Sequence, residues 1–296
     1  MNCDDPLAIL HRASAVAGLN PDGAEVIRLA ENAIYRLRDG IVARIARTGQ
    51  DAAAAKEVNV ARWLEDSGVS AVRVAREIDQ PVRVDGRSVT FWHELPPHEY
   101  GAIVDVAAAL RELHKLTPPE VFELSELAPF VRLPQRIKAA TTISADDQNW
   151  LLNRLTELKT AYDELPPGLP RCVVHGDAWS GNVVTTTDSA FVLLDLERCS
   201  LGPPEWDLVS TAVTYVTTAR INTKEWGTYC ETYGHDVTSW EGFHILRDIR
   251  ELRQTTMAAQ VAATNPQHYA DQAAHRLACL QGQHGPRPWS GWRPVP

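Results

Sequence analysis

No apolar run in this sequence approaches the roughly 20 residues that a membrane span requires. Its start, MNCDDPLAIL, has two acids and none of the basic, apolar pattern of a secretion signal. Together these absences give the expectation of a cytoplasmic protein with no membrane partner. Cysteine is sparse: Cys3, Cys172, Cys199, Cys230 and Cys279 are odd in number, widely spaced and form no CxxC pair. A disulfide framework and a paired-cysteine zinc motif are therefore not expected, and the thiols are read as reduced, small apolar groups. Metal-ligand spacing is missing among the histidines outside His175, including His268, His275 and His284. Basic charge is in deficit, with 29 Lys and Arg against 38 Asp and Glu and a net charge of −9. That weighs against a nucleic-acid partner, which needs a basic stripe.

What is present is enough for a core. The 296 residues are 44 % hydrophobic and 23 % charged, and the length suits one large domain or two lobes. Short β-rich runs cover Val26–Ala30, Ala33–Arg38 and Ile41–Ala46. Asp39-Gly40 joins the last two, and Asp85-Gly86 joins Pro81–Val84 to Arg87–Leu95; Asp-Gly is a strong hairpin signal. Between them the pattern predicts a helix from Asp51, its expected N-cap, to Asp66, with Gly68 as the stop. Pro96-Pro97 reads as a linker. Beyond it, helical stripes cover Gly101–Leu116, Ile137–Leu165, the stretch from Trp206 to Val216, and Glu241–Thr264. Short strands interrupt at Cys172–His175, Val183–Thr185 and Phe191–Asp195, and a Pro- and Trp-rich tail follows Gln281.

The chemistry is concentrated in VVHGDAWSGNVV, residues 173–184, where His175-Gly176-Asp177 is followed after four residues by Asn182. Protein kinases use H-R-D-x-x-x-x-N with the same Asp-to-Asn spacing. A hydroxyl nucleophile needs a carboxylate to orient it and accept its proton. A hard magnesium ion needs oxygen ligands, and an amide oxygen supplies one without charge. A second element, FVLLDLERCSLGPPEWDLV, closes an apolar run on Asp195 where kinases place a magnesium-holding Asp; the triplet is Asp195-Leu196-Glu197 instead of Asp-Phe-Gly.

HGDxxxxN, a strand ending in Asp-x-Glu, and Pro-x-x-Asp-Leu resemble the aminoglycoside phosphotransferase and choline kinase superfamily. The resemblance covers nearly the whole chain in element order, with its sharp motifs confined to residues 173–210. It implies an α+β, two-lobed protein-kinase-like fold. The N-lobe, residues 1–95, would be a small antiparallel sheet with one main helix that binds nucleotide. The C-lobe, residues 96–296, would be larger, mostly helical, catalytic and substrate-binding. The implied cofactors are ATP and Mg2+, with Asn182 and Asp195 on the metal and Asp177 as the catalytic base. Supporting roles fall to His175, bracing the loop, and to Asp207, holding its backbone or merely starting a helix. Glu197 lies near the metal or in a salt bridge. Arg44 in Ile41-Val42-Ala43-Arg44-Ile45 stands in the place of the strand Lys that grips phosphate. Its partner is Glu57, which shares a stripe with Ala54, Val58, Ala61 and Leu64, or else turns to solvent at the stripe's edge. In Thr90-Phe91-Trp92-His93-Glu94-Leu95, the His93 carbonyl and Leu95 N–H would meet the adenine edge, with Trp92 as gatekeeper. Ala30-Glu31-Asn32-Ala33 has no glycine, so its part in covering phosphates departs from the kinase pattern.

The implied function is ATP-dependent O-phosphotransfer to a small-molecule hydroxyl. A cationic aminoglycoside, a related antibiotic or an amino sugar is the first candidate acceptor. Acids at Glu120–Glu126 and Asp146–Asp147 could line a cationic pocket or lie in solvent. A metabolic kinase of the choline, thioribose or homoserine type, and a nucleotide-binding pseudokinase, are the alternatives. A metal-dependent hydrolase would need further His or Asp ligands, which the sequence does not offer. Trp289 and Trp292 could cap a cleft or pack on the helical lobe. Oligomeric state is not legible.

Overall fold

The computed structural model describes residues 5–29, 32–188 and 191–295. By packing, the chain forms two compact units: residues 1–124 with 180–199, and 125–179 with 200–296.

In the first unit, five strands order as β1-β2-β3-β5-β4, every pair antiparallel. They are β1 (Glu25–Leu29), β2 (Ala33–Arg36), β3 (Ile41–Ile45), β4 (Val82–Val84) and β5 (Arg87–His93). Both Asp-Gly hairpins form. At the first, Asp39 (φ 63°) and Gly40 (φ 70°) are both left-handed, the twist that suits two antiparallel strands and that a β-branched residue would resist. Strand β3 alternates: Ile41, Ala43 and Ile45 enter a core with Ile9, Leu10 and Ala13 of α1 (Pro6–Ala17), so Arg44 projects from the opposite face. Helix α1 was not read from the sequence, although Asp5 caps it and Pro6 opens it.

Helix α2 spans Asp51–Asp66 and buries Ala54, Glu57, Val58, Val60, Ala61 and Leu64. Asp51 is its first residue and not its N-cap; Gln50 takes that place, and the Asp51 carboxylate instead accepts from the Ser88 hydroxyl. A second sheet, β6-β8-β9, comprises β6 (His98–Tyr100), β8 (Val183–Thr186) and β9 (Val192–Leu193). Pro96-Pro97 therefore leads straight into a paired strand, with Tyr100 opposite Val184. This pairing keeps residues 98–124, including α3 (Ile103–Leu113), in the first unit. The packing division thus falls after Leu124, whereas the sequence expectation divided the chain after Leu95.

The second unit is mostly helical: α4 (Leu133–Lys138), α5 (Ala145–Asp163), α6 (Glu205–Val216), α7 (Thr223–Tyr233), α8 (Phe243–Thr264) and α9 (Pro266–Leu280). One ladder, β7 (Cys172–Val174) with β10 (Ser200–Gly202), joins them. Helices α7 and α9 and strands β6 and β10 were not read from the sequence. Helix α8 is buried on most sides and carries Arg250, Glu251 and Arg253 inward. Each finds a partner, as buried charges must. Glu251 accepts from Arg287 Nε at 2.7 Å and Thr217 Oγ1 at 2.6 Å, and Arg253 Nη1 reaches the Pro129 carbonyl at 2.5 Å. After Gln281 the chain has no helix or strand among the described residues, and Trp289 and Trp292 stack on each other, buried beside Cys279. Packing, of the two expectations, is what the tail shows. Asp146 and Asp147 sit in the first turn of α5, where acids complement the helix dipole; Asp147 also bonds Ser144 and Gln281. No described helix is long and apolar enough to cross a membrane. Cys172, Cys199, Cys230 and Cys279 are free thiols; Cys3 lies outside the described residues.

Candidate active site

Within the first unit, β3, α2 and the turn after β9 bring four of the expected residues together. Arg44 Nη1 lies 2.5 Å from both carboxylate oxygens of Glu57. Its Nη2 lies 3.2 Å from Glu197 Oε2 and 4.0 Å from Asp195 Oδ1. Glu57 therefore faces the arginine and not solvent, and Glu197 makes a salt bridge to the same guanidinium. Asn32, with its amide oxygen turned to the guanidinium, accepts from Arg44 Nε at 3.1 Å and Nη2 at 2.8 Å. Ala30 and Glu31, the rest of that turn, lie outside the described residues.

Burial pushes the Glu57 carboxyl up to about 7, against the pull of Arg44 and with the push of Asp195 and Glu197. Burial draws Arg44 down, but the charges of Glu57, Asp195 and Glu197 outweigh it and raise the guanidinium above its ordinary value. The arginine is thus fixed in place and permanently charged.

Asp195 adopts a left-handed backbone, φ 54° and ψ 61°. This conformation is costly for a residue with a side chain and is tolerated best by Asp and Asn. It ends β9 two residues short of the expected strand and turns the Asp195 carboxylate toward Arg44. The Leu194 N–H still donates to the Asn182 carbonyl at 2.9 Å, and Val183 pairs with Leu193. The backbone at Asn182 is thereby tied to the turn that carries Asp195, at the end of the β8–β9 ladder. The donor atoms here, an amide oxygen and carboxylate oxygens, are the hard ligands that a magnesium-type cation takes. On that chemistry the residues fit such an ion.

Strand β5 ends at His93, whose N–H donates to Arg73 O at 2.8 Å, and Glu94 N–H donates to Gly40 O at 2.7 Å. Trp92 is buried, with Nε1 donating to Thr90 Oγ1 at 2.8 Å. Leu95 follows as half-buried chain.

The second unit holds the other expected residues. The Asp207 carboxylate, buried in the first turn of α6, accepts from the His175 N–H at 2.6 Å and the Gly176 N–H at 2.9 Å. Trp206 Nε1 donates to the Gly176 carbonyl at 2.9 Å. His175 is buried, and its Nδ1 faces the Asp177 N–H at 3.4 Å. The Asp177 carboxylate is 36 % exposed and lies 3.5 Å from Arg250 Nη1. Arg250 in turn stacks on Trp206, 4.1 Å from the ring centre, and donates to the Trp206 carbonyl at 3.2 Å. Arg250 was missed from the sequence because it lies 44 residues past Trp206, on a helix that carries no motif. Trp179 was missed as well: two residues after Asp177 it is 56 % exposed, an unusual place for an indole.

Residues 24–246 match the phosphotransferase enzyme family, APH. No curated protein sequence matches the chain. The fold is similar to that of amicoumacin kinase hAmiN in complex with AMP-PNP, Ca2+ and Ami, with a TM-score of 0.72 and 14 % identity over 98 % of this chain and 97 % of that one. Choline kinase LicA from Streptococcus pneumoniae superposes with a TM-score of 0.62 and 16 % identity over 92 % of this chain and 98 % of that one. Aminoglycoside phosphotransferase APH(3'')-Id from Streptomyces rimosus gives 0.56 and 18 % over 82 % and 96 %. With a family match across most of its length and this fold around the Arg44, Asp195 and Asp177 clusters, the chain belongs to the phosphotransferase enzyme family and is a small-molecule phosphotransferase.

Proposed function

We propose that this protein transfers the γ-phosphoryl group of ATP to a hydroxyl of a small molecule, with Mg2+ as the metal. The observation that supports the reading is the left-handed Asp195 with Oδ1 4.0 Å from the Nη2 of Glu57-paired Arg44, in a turn whose Leu194 N–H bonds the Asn182 carbonyl. Residues 1–95 would supply nucleotide contacts, with Arg44 on phosphate oxygens and His93 and Leu95 on the adenine edge. Asn182 and Asp195 would hold the metal, which when bound neutralises the phosphate oxygens. Residues 96–296 would supply catalysis and the acceptor site.

Asp177 takes the acceptor's hydroxyl proton as its oxygen bonds to phosphorus; the bond from that phosphorus to the β-phosphate oxygen breaks and ADP leaves. Arg250 holds the Asp177 carboxylate in place, and Asp207 fixes the loop backbone behind it. Most of the acceleration would come from positioning and charge. Use of ATP agrees with a cytoplasmic setting.

An aminoglycoside, related antibiotic or amino sugar is the favoured acceptor. Net charge −9 suits a cation, and exposed Trp179 offers a stacking face for a sugar ring beside Asp177. Similar folds in amicoumacin and spectinomycin phosphotransferases support this choice, and choline kinases support the metabolic alternative. A pseudokinase would have no need of Asp177, Asn182 and Asp195 together.

The test is Asp177→Ala. Turnover should fall by about 10³-fold or more while ATP binding, followed by calorimetry, stays within a few-fold. Turnover near the wild-type rate would overturn the mechanism. A panel of antibiotics and metabolites, scored by which compound gains phosphate, names the acceptor; nucleotide binding with no acceptor phosphorylated would favour the pseudokinase.

A further inference from the structure

His275 and Cys279 stand four residues apart on α9, so their side chains share one face. The helix ends in a Schellman turn. Gln283 N–H donates to Ala278 O at 2.9 Å, Gly282 N–H donates to Cys279 O at 3.0 Å, and Gly282 is left-handed at φ 79°. A side chain at Gly282 would strain this reversal, which carries His284 back over the face that holds His275 and Cys279. The two imidazoles meet edge to face with centroids 4.6 Å apart, and Cys279 Sγ lies 3.8 Å from His275 Nε2. One ligand atom from each of the three residues lies within 4.8 Å of the other two. The sequence reading found no metal-ligand spacing among these histidines. The reason is that the triad spans a helix end and depends on the turn.

We propose that His275, Cys279 and His284 form a binding site for a divalent transition metal of the zinc class. A thiolate with two imidazoles is a borderline-soft donor set, which selects zinc over magnesium. Zinc bond lengths of about 2.3 Å to sulfur and about 2.0 Å to nitrogen put tetrahedral sulfur–nitrogen edges near roughly 3.6 Å. The observed Sγ–Nε2 separation is already close to that. His284 is exposed and can rotate to close the rest. Among the described residues no fourth His, Cys, Asp or Glu joins the cluster, which leaves the fourth position to water.

The Ser290 carbonyl lies 2.8 Å from His275 Nε2. Binding through Nε2, the nitrogen beside Cys279 Sγ, replaces that contact. Cys279 is buried beside Trp289 and Trp292, and burial holds its thiol above the ordinary value. Metal binding reverses this by displacing the thiol proton to solvent. The ion would clip the end of α9 to the turn that leads into the Trp289–Trp292 segment.

The test uses the reduced full-length protein titrated with Co2+ as a spectroscopic probe. One equivalent should give the visible bands of a tetrahedral ion and a thiolate-to-cobalt charge-transfer band, both lost on adding Zn2+. Cys279→Ser should abolish the charge-transfer band. His284→Ala, at an exposed position, should weaken Co2+ binding by at least about tenfold while leaving the circular dichroism and nucleotide binding unchanged. No charge-transfer band in the wild type, or a band that survives both substitutions, overturns the site. If Cys279→Ser does not fold, His284→Ala decides alone: unchanged Co2+ affinity in it refutes the proposal.

Discussion

A single arginine organises the first cluster. Arg44 is held by Glu57, Glu197 and Asn32 at once, which fixes its guanidinium in one place and, on the proposed function, would pre-set it for phosphate. Glu57 is what a neutral replacement would test. Its carboxyl sits at about 7 in the folded chain, above the ordinary value of 4.5, so the folded state holds the proton more tightly than the unfolded state does. The stability this group contributes is therefore full below pH 4.5 and is lost as pH rises through about 7. Thermal unfolding of nucleotide-free protein should show Glu57→Gln gaining on wild type across that window, with Arg44, Asp195 and Glu197 as the charges facing the site. In steady-state kinetics the same variant should raise KM for ATP by roughly tenfold, because Arg44 loses its charged anchor, with a smaller effect on kcat. A gain at low pH, or an unchanged KM, would contradict this account.

Among the elements, α8 is the one whose sequence looks least like its environment. Its interior carries two arginines and a glutamate, and the helix is stable there because each charge has a fixed partner. Glu251 is fully buried, and Arg287 from the tail supplies its counter-charge. Arg287→Ala should cost about 3 kcal/mol in urea unfolding, since it leaves the buried carboxylate with only the Thr217 hydroxyl and a long, 3.9 Å ion pair to Arg247. Arg287→Ala combined with Glu251→Gln should recover part of that loss, because the stranded charge is then gone. The same reasoning explains why α8 was legible as a helix but not as the carrier of Arg250. Its period is plain in the sequence, yet the arginine's target is a loop brought near only by folding.

For the whole molecule, the long-range field is negative, from 38 acids against 29 bases. A polycationic acceptor should be drawn to it, and salt should weaken that attraction. Raising ionic strength from about 0.01 M to about 0.15 M shortens the screening length from about 30 Å to about 8 Å. The value of kcat/KM for a polycationic acceptor should then fall several-fold, and that for an uncharged acceptor should hold. Equal salt responses would argue for a neutral metabolic substrate.

Local chemistry in the sequence was sufficient for the hairpins at Asp39-Gly40 and Asp85-Gly86, for α2, and for the family, because turn propensity, helical period and motif spacing act within a few residues. It also paired Arg44 with Glu57, since a carboxylate on an apolar stripe requires a cation. Tertiary structure alone decided the rest. Strand β6 exists because it pairs with a strand more than 80 residues later, and Arg250 meets Asp177 across 73 positions of chain. The His275, Cys279 and His284 triad forms only when a left-handed glycine reverses the end of a helix. Contacts between distant segments are fixed by which surfaces the folded chain buries together, and no local pattern records that choice.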